Sequence, residues 1–519
     1  MIRDLERSAS LVVSADVCVV GAGPAGIVLA LALASAGIDV VLLERGGLGA
    51  AWGGRAAPFD AHDFEVRAHV PESGWPIDRS ALEPYYRAAH AHCDLGPFSY
   101  LAEEALPAGA ARRPFIPGLD AEDIAADGLH LFGAPVDFGA RHRRALSASR
   151  RIQLFLHAEC TRLVVDRDGG RVTLAEATSL TGGRLLVAAR RFVLAGEALE
   201  VTRLLFRSDD VHRGGIGNHR DQLGRHYMCH LVHRFEIEVR SPEVVWDHET
   251  TRHGVYCQRT LAVRPDRQRQ EGLLNHRARI EHPDIADPAH RSGVLSAAYL
   301  VESRLGSRGV LQGERRRSGD VVAHLANVGR DAPAVMRFGR RWLRARVFER
   351  RPLPSITLKS PDGVYTLRLD LEQAPNPSSR VTLGGERDAF GQRCLRVDWR
   401  STDLDAWSAV RAAALIGKAL SRSGAGRLRA LPGFRPEASG GHPLGTTRMS
   451  ADPGRGVVDE RCRVHGVHNL FIASSSVFPT SSYADPTLTV LALTLRLADH
   501  LKAQREAVLV RRREAEAPG

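Results

Sequence analysis

The N-terminal part of the chain alternates short apolar runs with one apolar helical segment. Asp16 to Val20 is a brief run typical of a buried strand. Ile27 to Ala36 is rich in Ala and Leu and stops at Gly37, and Ile38 to Leu43 is a second apolar run. This order predicts a strand, a helix and a second, parallel strand.

A glycine-rich turn joins the first predicted strand to the helix. It runs Gly21-Ala22-Gly23-Pro24-Ala25-Gly26 and fits the dinucleotide fingerprint. Gly21 would allow the tight turn, Gly23 the close approach of a pyrophosphate, and Gly26 close packing of helix and strand. Glu44, about twenty residues further on, would accept hydrogen bonds from ribose hydroxyls. A GxGxxG pattern alone could be an ordinary turn, but the complete strand–helix–strand context favours a nucleotide site without choosing between NAD and FAD.

Further along, the pattern predicts strands first and helices last. Strand-like runs are Arg151 to Val164, Arg171 to Ala177, Leu185 to Leu194, Arg234 to Val239, Val294 to Ser303 and Pro354 to Leu369. The predicted helices are Asp403 to Ser421 and Thr487 to Leu501.

Composition narrows the class of protein. A chain of 519 residues is too long for one core, so a two-domain enzyme is expected. The net charge is +11, but only three of the 71 basic residues are lysines, and the arginines are scattered among acids. We therefore expect no nucleic-acid partner, although a positive surface would weakly favour anionic substrates.

The cysteines and the apolar runs exclude several other classes. The seven cysteines are widely spaced and form no CxxC pair, so neither a disulfide framework nor a metal site is expected. No run has the apolar core of a signal peptide or the length of a membrane span. These features predict a cytoplasmic protein without a membrane span.

Two motifs near the C-terminus carry the candidate chemistry. Gly441-His442-Pro443-Leu444-Gly445-Thr446-Thr447-Arg448-Met449 contains a histidine whose free pKa near neutrality suits a base. Some forty residues on, Ser482-Tyr483-Ala484-Asp485-Pro486-Thr487 places an acid before the last predicted helix. His442 could merely cap a turn, and Asp485 is a favoured helix N-cap before a proline.

Further segments occur in a characteristic order between and around these motifs. They are Trp52 to Arg55, Asp63 to Glu65, Gly74 to Ile77, Leu82 to Tyr86, Leu194 to Ala198, Arg203 to Leu205, Gly456 to Asp459, Asn469 to Ile472 and Ser476 to Thr480. Together with Gly21 to Gly26 and the two C-terminal motifs, they resemble the glucose-methanol-choline (GMC) flavoprotein oxidoreductases over nearly all of the chain. Residues 222 to 436 carry little of the resemblance.

The resemblance implies an α/β fold with a Rossmann-like FAD-binding domain and a substrate domain on a mostly antiparallel sheet covered by helices. Residues 1–58, 151–225 and 437–519 would form the FAD domain, and 59–150 with 226–436 the substrate domain and connecting segments. His442 and Asp485 would be catalytic. The implied cofactor-binding residues are Gly21, Gly23, Pro24, Ala25, Gly26, Glu44, Arg45, Trp52, Gly53, Gly54, Cys160, Ala195, Gly196, Ser475, Asp485, Pro486 and Thr487.

Asp485 departs from the family pattern, which has Asn or His at this position beside the catalytic histidine. An ionised Asp485 would raise the pKa of His442 and disfavour an anionic reduced flavin, whereas a protonated Asp485 could replace Asn. The dipole of the last helix would favour negative charge at the flavin. The histidine that some members join covalently to the flavin is here Ala51, so dissociable FAD is predicted.

The activity implied is oxidation of an alcohol by hydride transfer to flavin N5, with His442 as the base. The Thr446-Thr447-Arg448-Met449 and Ala484 to Thr489 variants are similar to those of bacterial sugar dehydrogenases and pyranose oxidases, which ranks polyhydroxylated or glycosylated small molecules before simple alcohols. The electron acceptor is left open between oxygen, a quinone and a redox protein. The alternatives are a flavoprotein with lyase or rearrangement chemistry and a non-catalytic flavin-binding protein; an NADPH-dependent monooxygenase would need a second nucleotide motif.

Overall fold

Two large sheets organise the chain, one mostly parallel and one antiparallel. The computed structural model describes residues 1–8, 10–49, 52–133, 137–305, 320–349, 351–355, 357–431 and 437–516. Within this part of the chain, no helix is long and apolar enough to cross a bilayer.

The strands and helices are numbered in chain order. The strands are β1 (Ile2–Asp4), β2 (Leu11–Val20), β3 (Val40–Leu43), β4 (Arg55–Ala56), β5 (Ile124–Phe132), β6 (Ile152–Leu156), β7 (Glu159–Val165), β8 (Val172–Thr178), β9 (Arg184–Leu194), β10 (Met228–Val239), β11 (Glu249–Thr250), β12 (Tyr256–Val263), β13 (His276–Glu281), β14 (Val364–Leu371), β15 (Arg380–Arg387), β16 (Arg393–Asp398), β17 (Gly426–Ala430), β18 (Glu437–Leu444) and β19 (Leu470–Ile472). The helices are α1 (Pro24–Ser35), α2 (Ala61–Phe64), α3 (Glu83–Cys93), α4 (Ala102–Ala105), α5 (Ala108–Ala111), α6 (Phe138–Ala148), α7 (Ala198–Arg207), α8 (Pro265–Glu271), α9 (Gly293–Leu305), α10 (Val321–Arg330), α11 (Ala332–Leu343), α12 (Asp403–Arg422) and α13 (Thr487–Glu516).

The first sheet has the strand order β1-β6-β3-β2-β9-β8-β7, with β19 also paired to β9. Its central pairs are parallel, and only β7, β8 and their junction with β9 are antiparallel. The two predicted apolar runs supply β2 and β3, and all of Val40–Leu43 is buried. Parallel strands need cover on both faces, and α1 packs with α13 to provide part of it.

The second sheet has the order β17-β10-β14-β13-β12-β5-β4, with β11 on β12 and β18 on β10. Its strand pairs are antiparallel. One face is apolar, contributes Ile237, Leu367 and Ile280, and forms a core with Ala412 and Ile416 of α12. Alternation along the strands puts charged side chains on the opposite face. The two sheets together confirm the predicted fold class.

Two predicted strands differ from the structure. Val294 to Ser303 lies inside helix α9. Leu295 is buried in a small core with Ile285 and Leu358, and Val294, Ala298 and Tyr299 pack against it, which is helical spacing. The run from Pro354 to Leu369 becomes a strand only at Val364; Ile356 lies outside the described residues. The other predicted strands and helices are present, with α13 extending to Glu516.

Candidate active site and cofactor cradle

The glycine-rich turn has the geometry of a phosphate cradle. Gly21 has φ +104°, a conformation that favours glycine. A Cβ on Gly26 would lie 1.8 Å from the Gly21 carbonyl oxygen, so no larger residue fits where α1 meets β2. A Cβ on Gly23 would meet no atom within 4 Å, and Gly23 gives α1 no side-chain cap. The uncapped helix N-terminus therefore faces open space, as pyrophosphate binding requires.

A cavity of about 310 Å³ lies next to this turn. It brings together seven of the sequence-predicted cofactor residues. They are Gly21, Gly23, Glu44, Arg45, Cys160, Ala195 and Gly196. The carboxylate of Glu44 is held by the backbone N–H groups of Ala22, at 2.8 Å, and Gly46, at 2.9 Å. It is fixed at the end of β3, where the dinucleotide fold uses an acid to bind ribose.

The cavity also contains charged residues that the sequence analysis did not name as cofactor-binding. They are Glu159, Glu197, Glu200 and Arg207. Glu159 lies 3.7 Å from Arg45 and 3.2 Å from Arg203, so its carboxylate is balanced by guanidinium groups. Its only sequence signal is its position beside Cys160. Burial raises the pKa of the Cys160 thiol to about 12, so this side chain lines the wall as a neutral group.

The second part of the site is centred on His442, near the end of β18. Its Nδ1 lies 2.9 Å from Nδ1 of His230, on β10. The Nε2 of His230 lies 3.0 Å from the carbonyl oxygen of Ser481, and only an N–H can bond there. Burial and the neighbouring His442 lower the pKa of His230 to about 4. A neutral His230 therefore donates through Nε2 and accepts through Nδ1, which assigns the proton to Nδ1 of His442 and leaves its Nε2 with a free lone pair.

Asp485 lies on the other side of His442. Its Oδ1 is 3.7 Å from Nδ1 of His442, and both its oxygens are held at 2.8 Å by the guanidinium of Arg55. Burial would raise the pKa of the Asp485 carboxyl, but the charge and hydrogen bonds of Arg55 hold that pKa well below its usual range. The bidentate pairing with Arg55 favours an ionised Asp485 over the alternative of a protonated residue that replaces Asn. Its carboxylate is engaged by Arg55 and makes no described bond to the backbone of α13.

The pKa of His442 reflects opposing effects. Burial lowers it, Asp485 raises it, and Arg55 lowers it further. The balance lies below the ordinary histidine value, so His442 is neutral near pH 7. The expected raising effect of Asp485 is present but smaller than that of burial.

His230, His442 and Asp485 are close enough to hold a metal ion, since one ligand atom of each lies within 4.8 Å of the others. However, Arg55 occupies both carboxylate oxygens of Asp485. A divalent cation there would face the guanidinium charge, and the arrangement suits proton transfer better than metal binding.

The remaining predicted cofactor residues lie outside the described cavity wall. Pro24 and Ala25 begin α1, while Pro486 directly precedes α13, which begins at Thr487. Trp52 packs edge-on against Phe138 at 5.7 Å, and Gly53 and Gly54 follow it. Gly54 has φ +80° and leads into Arg55. The hydroxyl of Ser475 donates to the carbonyl oxygen of Pro443 at 2.8 Å, which ties its turn to the His442 strand. Ala51 lies outside the described residues.

Three residues around the His442–Asp485 pair were not predicted, namely Arg55 and His230, which contact it, and His130, whose pKa Asp485 influences. Arg55 stands in a segment that carried the resemblance, but nothing in that segment indicates a partner at Asp485. His230 occurs in a strand with no motif. His130 is buried on β5 with its ring 6.0 Å from that of Tyr483. These contacts join residues hundreds of positions apart, which local patterns do not encode.

Sequence comparison with known proteins supports an FAD site and a GMC-type oxidoreductase. The GMC oxidoreductase family model matches residues 375–494, and an FAD binding domain model matches residues 14–66. The chain is 32% identical to a C-glycoside 3-oxidase of Arthrobacter globiformis, over 78% of this chain and 72% of that protein. It is 24% identical to a 6'''-hydroxyparomomycin C oxidase of Streptomyces lividus, over 95% and 93% of the two chains.

Solved structures show the same fold. A fungal aryl-alcohol oxidase superposes with a TM-score of 0.54 at 14% identity, over 95% of this chain and 99% of that one. Its likeness concerns the fold alone. The dinucleotide cradle, the histidine-centred site and the sequence relatives together establish that the chain belongs to the GMC oxidoreductase family and is an FAD-dependent enzyme that oxidises alcohol groups.

Proposed function

We propose that the enzyme oxidises a hydroxyl group of a sugar, a cyclitol or another polyhydroxylated or glycosylated small molecule to a carbonyl, with His442 as the base. The observation that carries this proposal is the hydrogen bond from His442 to His230, which leaves Nε2 of His442 free. The two oxidase relatives, whose names specify a C-glycoside and 6'''-hydroxyparomomycin C, support the substrate class. Simple aliphatic or aromatic alcohols rank second.

His442 removes the hydroxyl proton, and Asp485 stabilises the charge that results. Bound FAD supplies the hydride acceptor. Nε2 of His442 takes the hydroxyl proton, which converts the ring to an imidazolium. Asp485, 3.7 Å from the opposite nitrogen, stabilises that charge, and Arg55 fixes the position of Asp485. Removing the proton raises the electron density on the alcohol carbon, which favours departure of the hydride.

The cofactor proposal rests on the turn and cavity described above. Gly21, Gly23 and the N-terminus of α1 would hold the pyrophosphate, and Glu44 the ribose. We also retain the proposed division into a discontinuous FAD domain and a substrate domain. Most strands of 1–58, 151–225 and 437–519 belong to the first sheet, whereas the short strands β4 and β18 pair with the second. His442 and Arg55 thereby stand where the two sheets meet.

The test is anaerobic reduction of the FAD-loaded enzyme by a panel of sugars, cyclitols, aminosugars and simple alcohols. Bleaching of the oxidised flavin absorption by a polyhydroxylated compound, with formation of its carbonyl product, is expected. Faster bleaching by simple alcohols would contradict the substrate class. Turnover of a substrate with the flavin remaining oxidised would favour lyase or rearrangement chemistry instead.

A further inference from the structure

A second cavity, of about 590 Å³, lies in the substrate part of the chain. Its wall comes from α9, α11 and β12, from the segment before β11 and from the segment between α11 and β14. Four aromatic residues line it, namely Trp246, Tyr256, Phe338 and Trp342. Among the described residues it shares no part of its wall with the cofactor cavity, so the function proposed above assigns it no role. We call it the aromatic cavity.

The aromatic rings are held in place and still accessible. Trp246 packs against the core of the second sheet, and Phe338 packs against the small core that contains Leu358. All four aromatic residues are half-buried, so each keeps part of its surface open. Ligand sites commonly combine such fixed aromatic surface with a few polar groups.

Polar atoms stand among the rings. Oδ1 of Asp247 accepts hydrogen bonds from the backbone N–H of His248, at 2.7 Å, and from the hydroxyl of Thr357. The side chain of His248 is 1% exposed, and its Nε2 lies 3.3 Å from the hydroxyl of Ser355. Its Nδ1 forms no hydrogen bond within the part of the chain that the structure describes. A buried polar atom without a partner is costly, and a hydroxyl group of a ligand would remove that cost.

The charged groups of the wall favour neither an anion nor a cation. Oδ2 of Asp247 has Arg341 at 4.0 Å, and Glu349 has Arg344 at 3.5 Å. The two arginine side chains are 84% and 81% exposed, so solvent and salt screen their charges. The aromatic cavity therefore suits a neutral ligand that carries hydroxyl groups.

The aromatic cavity lies on the same face of the second sheet as the reacting groups. Tyr256 on β12 is directly opposite Phe132 on β5, and Phe132 is directly opposite Arg55 on β4. Directly opposite residues point to the same face, and two strand spacings separate Tyr256 from Arg55 by about 10 Å. The ring of Phe132 also contacts that of His248, at 5.0 Å between centroids. Because Arg55 holds Asp485, a substrate with more than one ring is long enough to reach both places.

We propose that the aromatic cavity binds a second, non-reacting sugar ring, so that the enzyme acts on a glycoside that contains a further sugar rather than on a monosaccharide. This inference rests on the function proposed above and narrows its substrate class. The C–H groups of a pyranose face pack on aromatic rings, while its hydroxyl groups bond Oδ2 of Asp247 and Nδ1 of His248. An aryl group would use the aromatic surface but leave these two polar atoms without a partner.

The experiment compares anaerobic flavin reduction by three β-glucosides: methyl glucoside, phenyl glucoside and cellobiose. Methyl galactoside, phenyl galactoside and lactose form the matching β-galactoside series. We expect the disaccharide to have a kcat/KM about 10-fold above that of its methyl glycoside, mainly through KM. In Trp342→Ala this ratio should fall by about 3- to 10-fold, because an aromatic contact with the second ring is lost.

Three further variants separate recognition from folding. Trp342→Phe keeps an aromatic ring and should retain most of the ratio. Trp407→Ala removes a 46% exposed tryptophan from α12, outside the aromatic cavity, and should leave the ratio unchanged. Asp247→Asn should weaken the use of the disaccharide more than that of the phenyl glycoside, because only the sugar loses a charged acceptor. If Trp342→Ala does not fold, the wild-type ranking and Asp247→Asn still decide the question.

Tryptophan fluorescence reports occupation of the aromatic cavity without turnover. The enzyme is photoreduced beforehand, so that no sugar is oxidised, and is then titrated with cellobiose and lactose. We expect a saturable change in the wild type and in Trp407→Ala, and a much smaller one in Trp342→Ala.

The outcomes distinguish this inference from the proposed function. Equal kcat/KM for methyl glycosides and disaccharides, with no effect of Trp342→Ala, would overturn the inference and leave the proposed function intact. A preference for phenyl glycosides that Asp247→Asn does not alter would put an aryl group in place of the second sugar. If no sugar reduces the flavin but cellobiose still changes the fluorescence through Trp342, the proposed function fails and the sugar site remains.

Discussion

His442 can act as a base only while its Nε2 is unprotonated, and His230 and burial together keep it so. His442→Ala removes the proton acceptor without touching the cofactor cavity. Turnover should fall about 100-fold or more, as for loss of a general base, while FAD binding persists. Stopped-flow bleaching of the flavin measures the first effect and the visible spectrum the second.

A matched control for this variant is His219→Ala, because His219 packs edge-on against His212 rather than against Asp485. It should retain full activity. An active His442→Ala enzyme would assign the proton transfer to another group and would suit a non-catalytic role for this histidine.

The pH dependence of the reaction should report the groups around His442. The neutral ring is the active form, so kcat/KM should fall as the pH drops through the pKa of His442, which lies below the ordinary value of about 6.5. Asp485 raises that pKa, whereas Arg55 and Arg368 lower it. In Asp485→Asn the acid limb should therefore move to lower pH.

The same substitution removes the charge that stabilises the imidazolium, so the plateau rate should also fall, on the order of 10-fold. Profiles of kcat/KM against pH for both proteins in identical buffers provide the measurement. A limb that moves to higher pH would show that Asp485 does not face His442 as an anion.

The sequence predicted His442 and Asp485 themselves as site residues but not the residues that they contact. Both residues stand in short motifs with a recognisable order. Their contacts join residues 212 positions apart, from His230 to His442, and 430 positions apart, from Arg55 to Asp485. Such pairings arise from packing of the two sheets, and single-sequence patterns carry no information about them.

The two glycines Gly23 and Gly26, at the junction of β2 with α1, differ sharply in the space around their Cα atoms. A Cβ at Gly26 collides with the Gly21 carbonyl oxygen, whereas a Cβ at Gly23 meets open space. Gly26→Ala should therefore lower the melting temperature of the FAD-free protein. Gly23→Ala should leave that temperature nearly unchanged but weaken FAD binding, because the added methyl group enters the phosphate cradle.

Thermal unfolding without FAD and fluorescence titration with FAD distinguish the two glycine variants. Equal losses of stability would mean that both positions matter only for packing. Equal FAD affinity in Gly23→Ala and wild type would place the pyrophosphate elsewhere.

Helix α9 shows why one segment was predicted to be a strand although it forms a helix. Val294 to Ser303 contains Val and Tyr, which favour strands, and its many apolar residues hide the helical period. In the structure, Leu295 and Tyr299 fall one helical turn apart on the side that packs near Leu358. Packing against Leu358 therefore determined that this segment is a helix. The strands of the Rossmann-like sheet could be predicted because their turns and lengths are specified by local sequence.

Some family members bind the flavin covalently through a histidine that this chain replaces with alanine. We therefore expect FAD to dissociate from the protein. The residue before Trp52 is Ala51, which has no nucleophilic side chain. After acid precipitation and centrifugation, the yellow colour should remain in the supernatant. Colour in the washed pellet would indicate a covalent bond through another residue.

The pairing of Arg55 with Asp485 has a consequence for how the enzyme matures. These two residues come from opposite ends of the chain, and β19 completes the first sheet against β9 only after Ile472 has been synthesised. Contacts of such high sequence separation form late in folding. A nascent chain can therefore acquire its cofactor turn early while remaining chemically silent, and competence for catalysis arises only when the final helix docks.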